Sequence, residues 1–230
     1  MKFEIVILGF FLMLLCTGIV ALFLKAFYDG QFKKAILFKG IASLCFVAFG
    51  AVGFAFNEFS WIRLIVFVGL CFGLVGDEIL ALCQIYPRSD KQHFIGGGVF
   101  FIVGHLAYIL SMLLMDGPNL IAAVIAFVAL VLLSFAYNKR DKFFVGDVKG
   151  SLMLYICIVI LFSAVGIATF LKQGTLGSAL IALGGIMFVI SDNLLFAYKY
   201  GVNSKFMQNI VLHVAYYLAQ FFIAWSISLI

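Results

Sequence analysis

The sequence predicts an all-α integral membrane protein, a bundle of eight transmembrane helices with both termini on the non-cytoplasmic side. Of its 230 residues, 66% are hydrophobic and only 11% charged, and the mean hydropathy is +1.22. A soluble domain of that composition would expose far too much apolar surface to water. Apolar runs of roughly 20 residues, long enough to cross ~30 Å of hydrocarbon, recur along the whole chain. The runs are continuous, without the alternation of a transmembrane barrel, so their backbone groups must be satisfied within helices.

The first span, 5–24, follows a single Lys2. Its apolar run is longer than the ~7–15-residue core of a signal peptide and reaches Lys25 without a small-residue cleavage site, so it is expected to remain a span. The others are expected over 35–56, 61–82, 94–115, 120–137, 151–171, 175–197 and 206–230. The connections are short, which leaves one transmembrane domain over 1–230. Gly96, Gly97, Gly98, Gly184 and Gly185 fall at the start of the fourth span or within the seventh, where small residues let helices approach closely. The five cysteines show neither zinc spacing nor a pairing motif and read as small apolar packers.

Orientation follows from the cations. Lys25, Lys33, Lys34, Lys39, Arg88, Lys91, Lys139, Arg140, Lys142, Lys149, Lys199 and Lys205 all fall on one side, 12 of the 15 Lys and Arg. By the positive-inside rule that side is cytoplasmic. The net charge of +5 needs no partner beyond anionic lipid headgroups, and nothing points to nucleic acid.

Two aspartates interrupt otherwise apolar spans, Asp77 in the third and Asp192 in the seventh. A carboxylate in hydrocarbon is disfavoured by several kcal/mol on most scales and marks a proton, ion or substrate site. Both lie ~8 Å below the cytoplasmic surface at 1.5 Å per residue. His213 enters the eighth span at a similar depth, with His105, Tyr217 and Gln220 nearer the midplane. These groups define a cavity reached from the cytoplasmic leaflet.

In the third span Gly69, Gly73, Gly76 and Leu80 line one stripe beside Asp77, implying a close neighbouring helix. Glu78 is rotated about 100° away, toward a lysine or the interface. His105 and Tyr108 share a face of the fourth span. Ser191, Asp192 and Asn193 are three consecutive polar residues in the seventh, with Asn193 a candidate partner for Asp192. His213, Tyr217 and Gln220 form an i, i+4, i+7 stripe in the eighth, with Tyr216 beside it. Each has a structural alternative: a hydrogen-bond acceptor for the aspartates, a satisfied core histidine for His105, a seam between helices for the last stripe.

Taken together, Gly76-Asp77 with Leu80, Gly104-His105-Leu106 with Tyr108, Ser191-Asp192 with Leu194-Leu195, and Tyr216-Tyr217-Leu218-Ala219-Gln220 resemble the YhhN-like lysoplasmalogenase family, whose vertebrate members are multi-span membrane enzymes. The resemblance runs from the third span to the last; Glu78 and Asn193 have no assigned place in it. It implies hydrolysis of the vinyl ether bond of an alkenyl-glycerophosphocholine or -ethanolamine, giving a fatty aldehyde and a glycerophospho-base; no cofactor or metal is expected.

A vinyl ether opens in acid. Protonation of the carbon distal to oxygen gives an oxocarbenium ion, water adds, and the hemiacetal collapses. Two carboxyl groups can divide the roles of acid and base between them, so Asp77 and Asp192 are the expected catalytic pair, in unassigned order. His105, Tyr108, Ser191, Asn193, His213, Tyr217 and Gln220 are the candidates to orient water or substrate. The alkenyl tail would lie among the 28 phenylalanines, and Arg88, Lys149 and Lys199 are weak candidates for the phosphate. The expected partners are a lysophospholipid and the bilayer, of a bacterial inner membrane or a eukaryotic endomembrane. Two readings compete. A zinc-dependent lipid amidase in the manner of alkaline ceramidases would use His105, His213 and the aspartates, with His93 set apart in a loop. A proton-coupled transporter would use the acids as relays, although the sequence shows no convincing internal repeat.

Overall fold

The computed structural model describes residues 3–139, 149–201 and 205–230. Its eight helices are α1 (Phe3–Tyr28), α2 (Phe32–Ala55), α3 (Trp61–Ala81), α4 (Asp90–Leu114), α5 (Leu120–Asn138), α6 (Lys149–Gln173), α7 (Leu176–Tyr200) and α8 (Phe206–Ser226). All eight are long and apolar enough to cross a membrane. Two boundaries differ from the sequence reading. α4 starts at Asp90, directly after a 3-10 turn over Pro87–Ser89, because an acidic residue in a first turn complements the helix dipole. His93 is therefore in the first turn of α4 and not in a loop. α8 ends at Ser226, and the following Ile227 folds in to full burial, near Gly50 of α2.

Six helices close a ring in the order α2, α3, α4, α6, α7, α8 and back to α2. Outside it, α1 packs on α2 and α8, and α5 on α6 and α7; most of α5 faces outward. The neighbour implied by the glycine stripe of α3 is α4. A Cβ at Gly104 would stand 3.0 Å from the Gly69 carbonyl oxygen, and one at Gly97 would stand 3.0 Å from that of Gly76. Only glycine permits backbones this close.

The arrangement also repeats. Exchanging α1–α4 for α5–α8 maps the contact of α1 with α2 onto α5 with α6, and α2 with α3 onto α6 with α7. Likewise α3 with α4 maps onto α7 with α8, and α4 with α6 onto α8 with α2. Residues 115 positions apart do equivalent work. A Cβ at Gly104 would stand 3.0 Å from the Gly69 carbonyl oxygen, and one at Gly184 would stand 3.1 Å from that of Ala219. Ser111 and Ser226 each donate to the carbonyl three residues earlier, at 2.7 Å in both cases. The close pair Gly76 and Gly97 corresponds to Ser191 and Leu212, where the Ser191 hydroxyl donates to the Leu212 carbonyl at 3.0 Å. Asp77 and Asp192 are themselves 115 apart. The repeat is invisible as sequence because the residues flanking the two acids differ, while backbone packing conserves the geometry.

Candidate active site

Lys39 and Ser43 are one helical turn apart on α2 and so share a face, and that face meets Asp77 of α3. Lys39 Nζ lies 3.0 Å from Asp77 Oδ1, and the two side chains are 7% and 2% exposed. On Oδ2 the carboxylate accepts hydrogen bonds from Ser43 Oγ and from Tyr216 Oη of α8, both at 2.6 Å. An ionised carboxylate has about four acceptor positions; three are filled and their donors fix its orientation. A buried charge is tolerated only when paired and hydrogen-bonded in this way.

Behind Tyr216 the network continues. Gln220 Nε2 donates to Tyr216 Oη at 3.0 Å, and Tyr108 Oη of α4 donates to Gln220 Oε1 at 3.3 Å. Gln220 fits because Gly73 leaves room for it: a Cβ there would stand 2.5 Å from its Nε2.

Asp192 of α7 is equally buried, at 5% exposure, with different company. It accepts a hydrogen bond on Oδ2 from Tyr155 Oη of α6 at 2.9 Å. Among the described residues no cation pairs with it.

Both aspartates line a single cavity of ≈ 190 Å³, together with Lys39, Tyr155, His213 and Tyr216. The remaining wall is apolar, formed by residues such as Phe94, Phe101, Leu152, Leu195 and Phe196. Val99 of α4 and Leu154 of α6 also line it, yet they are 50% and 57% exposed on the outer surface. The cavity therefore opens sideways between α4 and α6, beside Gly98, where an added Cβ would meet open space.

The other expected site residues divide. His213 lines the cavity, with Nδ1 2.7 Å from the Asn209 carbonyl. Tyr108 and Gln220 support Tyr216 from behind. His105 is fully buried in an aromatic cage of Tyr108, Tyr155, Phe162 and Phe188; its Nδ1 is 2.7 Å from the Phe101 carbonyl and, among the described residues, Nε2 has no hydrogen-bond partner. It backs the site and does not line the cavity. Ser191 lines the cavity and also clamps α7 to α8, as described above.

Asn193 is not the partner of Asp192. It donates to Ser134 of α5 and to the Val189 carbonyl, and accepts from Asn138, because adjacent helix residues point about 100° apart. Tyr217 stands one step behind Asp77: its hydroxyl lies 3.4 Å from Ser43 Oγ and donates to the Lys39 carbonyl at 3.4 Å, tying α8 to α2, while its neighbour Tyr216 bonds Asp77 directly. Glu78 packs toward Gly40 of α2. Arg88 is exposed in the 3-10 turn over Pro87–Ser89, and Lys199 pairs with Asp90. The side chain of Lys149 and the cations Arg140 and Lys142 lie outside the described residues.

Four partners escaped the sequence reading. Lys39 had a signal, a lysine five residues inside an apolar run, but was counted only toward orientation. Ser43 and Tyr155 had none, and Tyr216 was noted only as a neighbour. Among the described residues no group of three or more His, Cys, Asp or Glu could hold a metal ion, so the ligand set of the zinc reading is not assembled there.

The YhhN family model matches residues 34–227, from the first turn of α2 to the end of α8. No curated protein and no solved structure matches the chain.

Proposed function

The chain belongs to the YhhN family, and from that premise we propose that it is a membrane hydrolase cleaving the vinyl ether bond of a lysoplasmalogen. The observation that carries this reading is a pair of buried carboxyl groups facing one lipid-accessible cavity with unlike partners.

On this reading the alkenyl tail enters between α4 and α6 and brings the vinyl ether to the aspartates. Asp77, tied to Lys39, is the fixed carboxylate, which leaves Asp192 as the proton donor. The Asp192 carboxyl protonates the carbon distal to oxygen; the double-bond electrons form the new C–H bond and leave an oxocarbenium ion. Water attacks that ion while the remaining acceptor position of Asp77 takes its proton. In the collapse, the hemiacetal hydroxyl returns a proton to Asp192 and Asp77 gives one to the departing glycerol oxygen. Both side chains are restored, and the products are a fatty aldehyde and a glycerophospho-base. Tyr155 and Tyr216 hold the two carboxyls in place, and water-poor walls strengthen the electrostatics. The positive-inside count supports placing this cavity in the cytoplasmic half of the bilayer.

The test offers purified protein an alkenyl lysolipid and an ester lysolipid. Aldehyde from the first and no fatty acid from the second is the expected result; absence of aldehyde, or normal turnover by folded D192N, overturns the reading. A second reading, transport, is favoured by one observation, the parallel four-helix repeat, an architecture used by carriers. Substrate flux in proteoliposomes without product would establish that alternative.

A further inference from the structure

We propose that a second cavity, which shares part of its wall with the first, is a headgroup subsite selective for zwitterionic lysolipids through Lys199 and its ion-pair partner Asp90. The proposal rests on the hydrolase reading and adds to it the part of the substrate that the aspartates do not touch.

The second cavity has a volume of ≈ 130 Å³ and shares Lys39, Leu80, Phe94, Leu195 and His213 with the catalytic one. It leads toward the helix ends at Gln84 and Lys199. In a lysolipid the vinyl ether lies between tail and headgroup. A molecule with that bond at Asp77 and Asp192 and its tail in the opening between α4 and α6 must send its glycerophosphate the other way. The second cavity is the branch that receives it, and within its otherwise apolar added lining Gln84, Tyr198, Lys199 and Asn209 supply polar groups.

Lys199 Nζ lies 2.8 and 3.0 Å from the two carboxylate oxygens of Asp90. It lines the second cavity and sits 4.6 Å from the centre of the Phe94 ring, which borders both cavities. Both cations lining the second cavity are matched, Lys39 by Asp77 and Lys199 by Asp90. A net-anionic headgroup therefore finds no uncompensated positive charge among the described lining residues. A phosphodiester carrying an ammonium group can instead exchange charges with a pair: its phosphate on Lys199, its ammonium on Asp90. The Lys39 pair is buried at 7% and 2% exposure, whereas the Lys199 pair is 21% and 43% exposed. Partly exposed pairs contribute little to stability, so the exchange costs little, and its charge-assisted hydrogen bonds are the strong kind.

Wild type, K199Q, K199R and D90N would be assayed with alkenyl-glycerophosphocholine, alkenyl-glycerophosphate and headgroup-free 1-alkenylglycerol, and each titrated with glycerophosphocholine in a thermal-shift measurement. K199Q should raise KM for the choline substrate by about tenfold, the loss of one charged hydrogen bond, with kcat within about twofold. It should leave 1-alkenylglycerol unaffected, and K199R should recover most of the loss. D90N should raise KM for the choline substrate and lower it for alkenyl-glycerophosphate, since Lys199 is then uncompensated. Glycerophosphocholine should stabilise the wild type and not K199Q. Equal effects of K199Q on all three substrates, or equal stabilisation of wild type and K199Q, overturn the subsite. Should no substrate yield aldehyde while glycerophosphocholine still stabilises the wild type and K199R but not K199Q, the reaction is wrong and the subsite stands.

Discussion

Asp77 and Asp192 occupy matching places in the two halves of the ring, 115 residues apart, and their surroundings are not alike. Where α2 offers Lys39 to the first acid, α6 offers Tyr155, 116 positions on, to the second. Across the cavity the first acid meets Tyr216, whose counterpart 115 residues earlier is Phe101, without a hydroxyl. Behind those, Gln220 is matched by His105, one relaying a hydrogen bond to Tyr216 and the other held by its own helix. The scaffold repeats and the chemistry does not. Symmetric packing brings two carboxyls to one cavity; asymmetric partners make one an ion-paired, three-donor carboxylate and leave the other, among the described residues, with a single hydroxyl. Two like carboxyls sharing a proton can also divide acid and base roles; on the proposed reading the inequality fixes which of the two is the acid.

The strongest way to break this comparison is to neutralise each acid in turn. D192N and D77N should each lower aldehyde formation by about 10²–10⁴-fold, measured on folded protein with the alkenyl lysolipid; full activity in either would end the proposed division of labour. Stability should then separate the two sites. Lys39→Met strands a buried carboxylate and should cost about 3–5 kcal/mol in detergent unfolding, much of it recovered in the K39M/D77N double variant. Tyr155→Phe, at the corresponding turn of α6, should cost only about 1 kcal/mol; equal losses from the two would mean that Asp192 has a charged partner after all. Gly98→Trp should close the opening between α4 and α6 and reduce turnover on a long-chain substrate by about tenfold or more, with little change in unfolding. The smallest effect sharpens the symmetry itself: Ser111→Ala and Ser226→Ala each remove one local hydrogen bond and should each cost about 0.5–1.5 kcal/mol, alike within error.

Much of this was legible in the sequence. The eight spans appear within a few residues of their expected limits, and the two acids stand out because an ionisable group in an apolar run is costly wherever its helix goes. The glycine stripe beside Asp77 announced a close neighbour, and Gly69 and Gly76 meet Gly104 and Gly97. What failed was assignment by adjacency. Asn193 follows Asp192 in sequence and turns to α5; Tyr217 fits an i, i+4, i+7 stripe and reaches Ser43 and the Lys39 carbonyl, while Tyr216 bonds Asp77 itself. Lys39 was counted as a topology signal when it is the counter-ion of Asp77.

The division has a physical cause. Whether a segment spans the membrane depends on its own length and apolarity against the thickness of the hydrocarbon, and the cost of a buried acid depends on that acid; both are local properties, so the sequence alone determined them. Which side chain meets that acid depends on the rotation and neighbours of each helix, and those are set by small-residue contacts between segments far apart in the chain. Only the tertiary structure, by closing α2 to α8 into one ring, decided that Asp77 meets Lys39, Ser43 and Tyr216, and that Asp192 meets Tyr155.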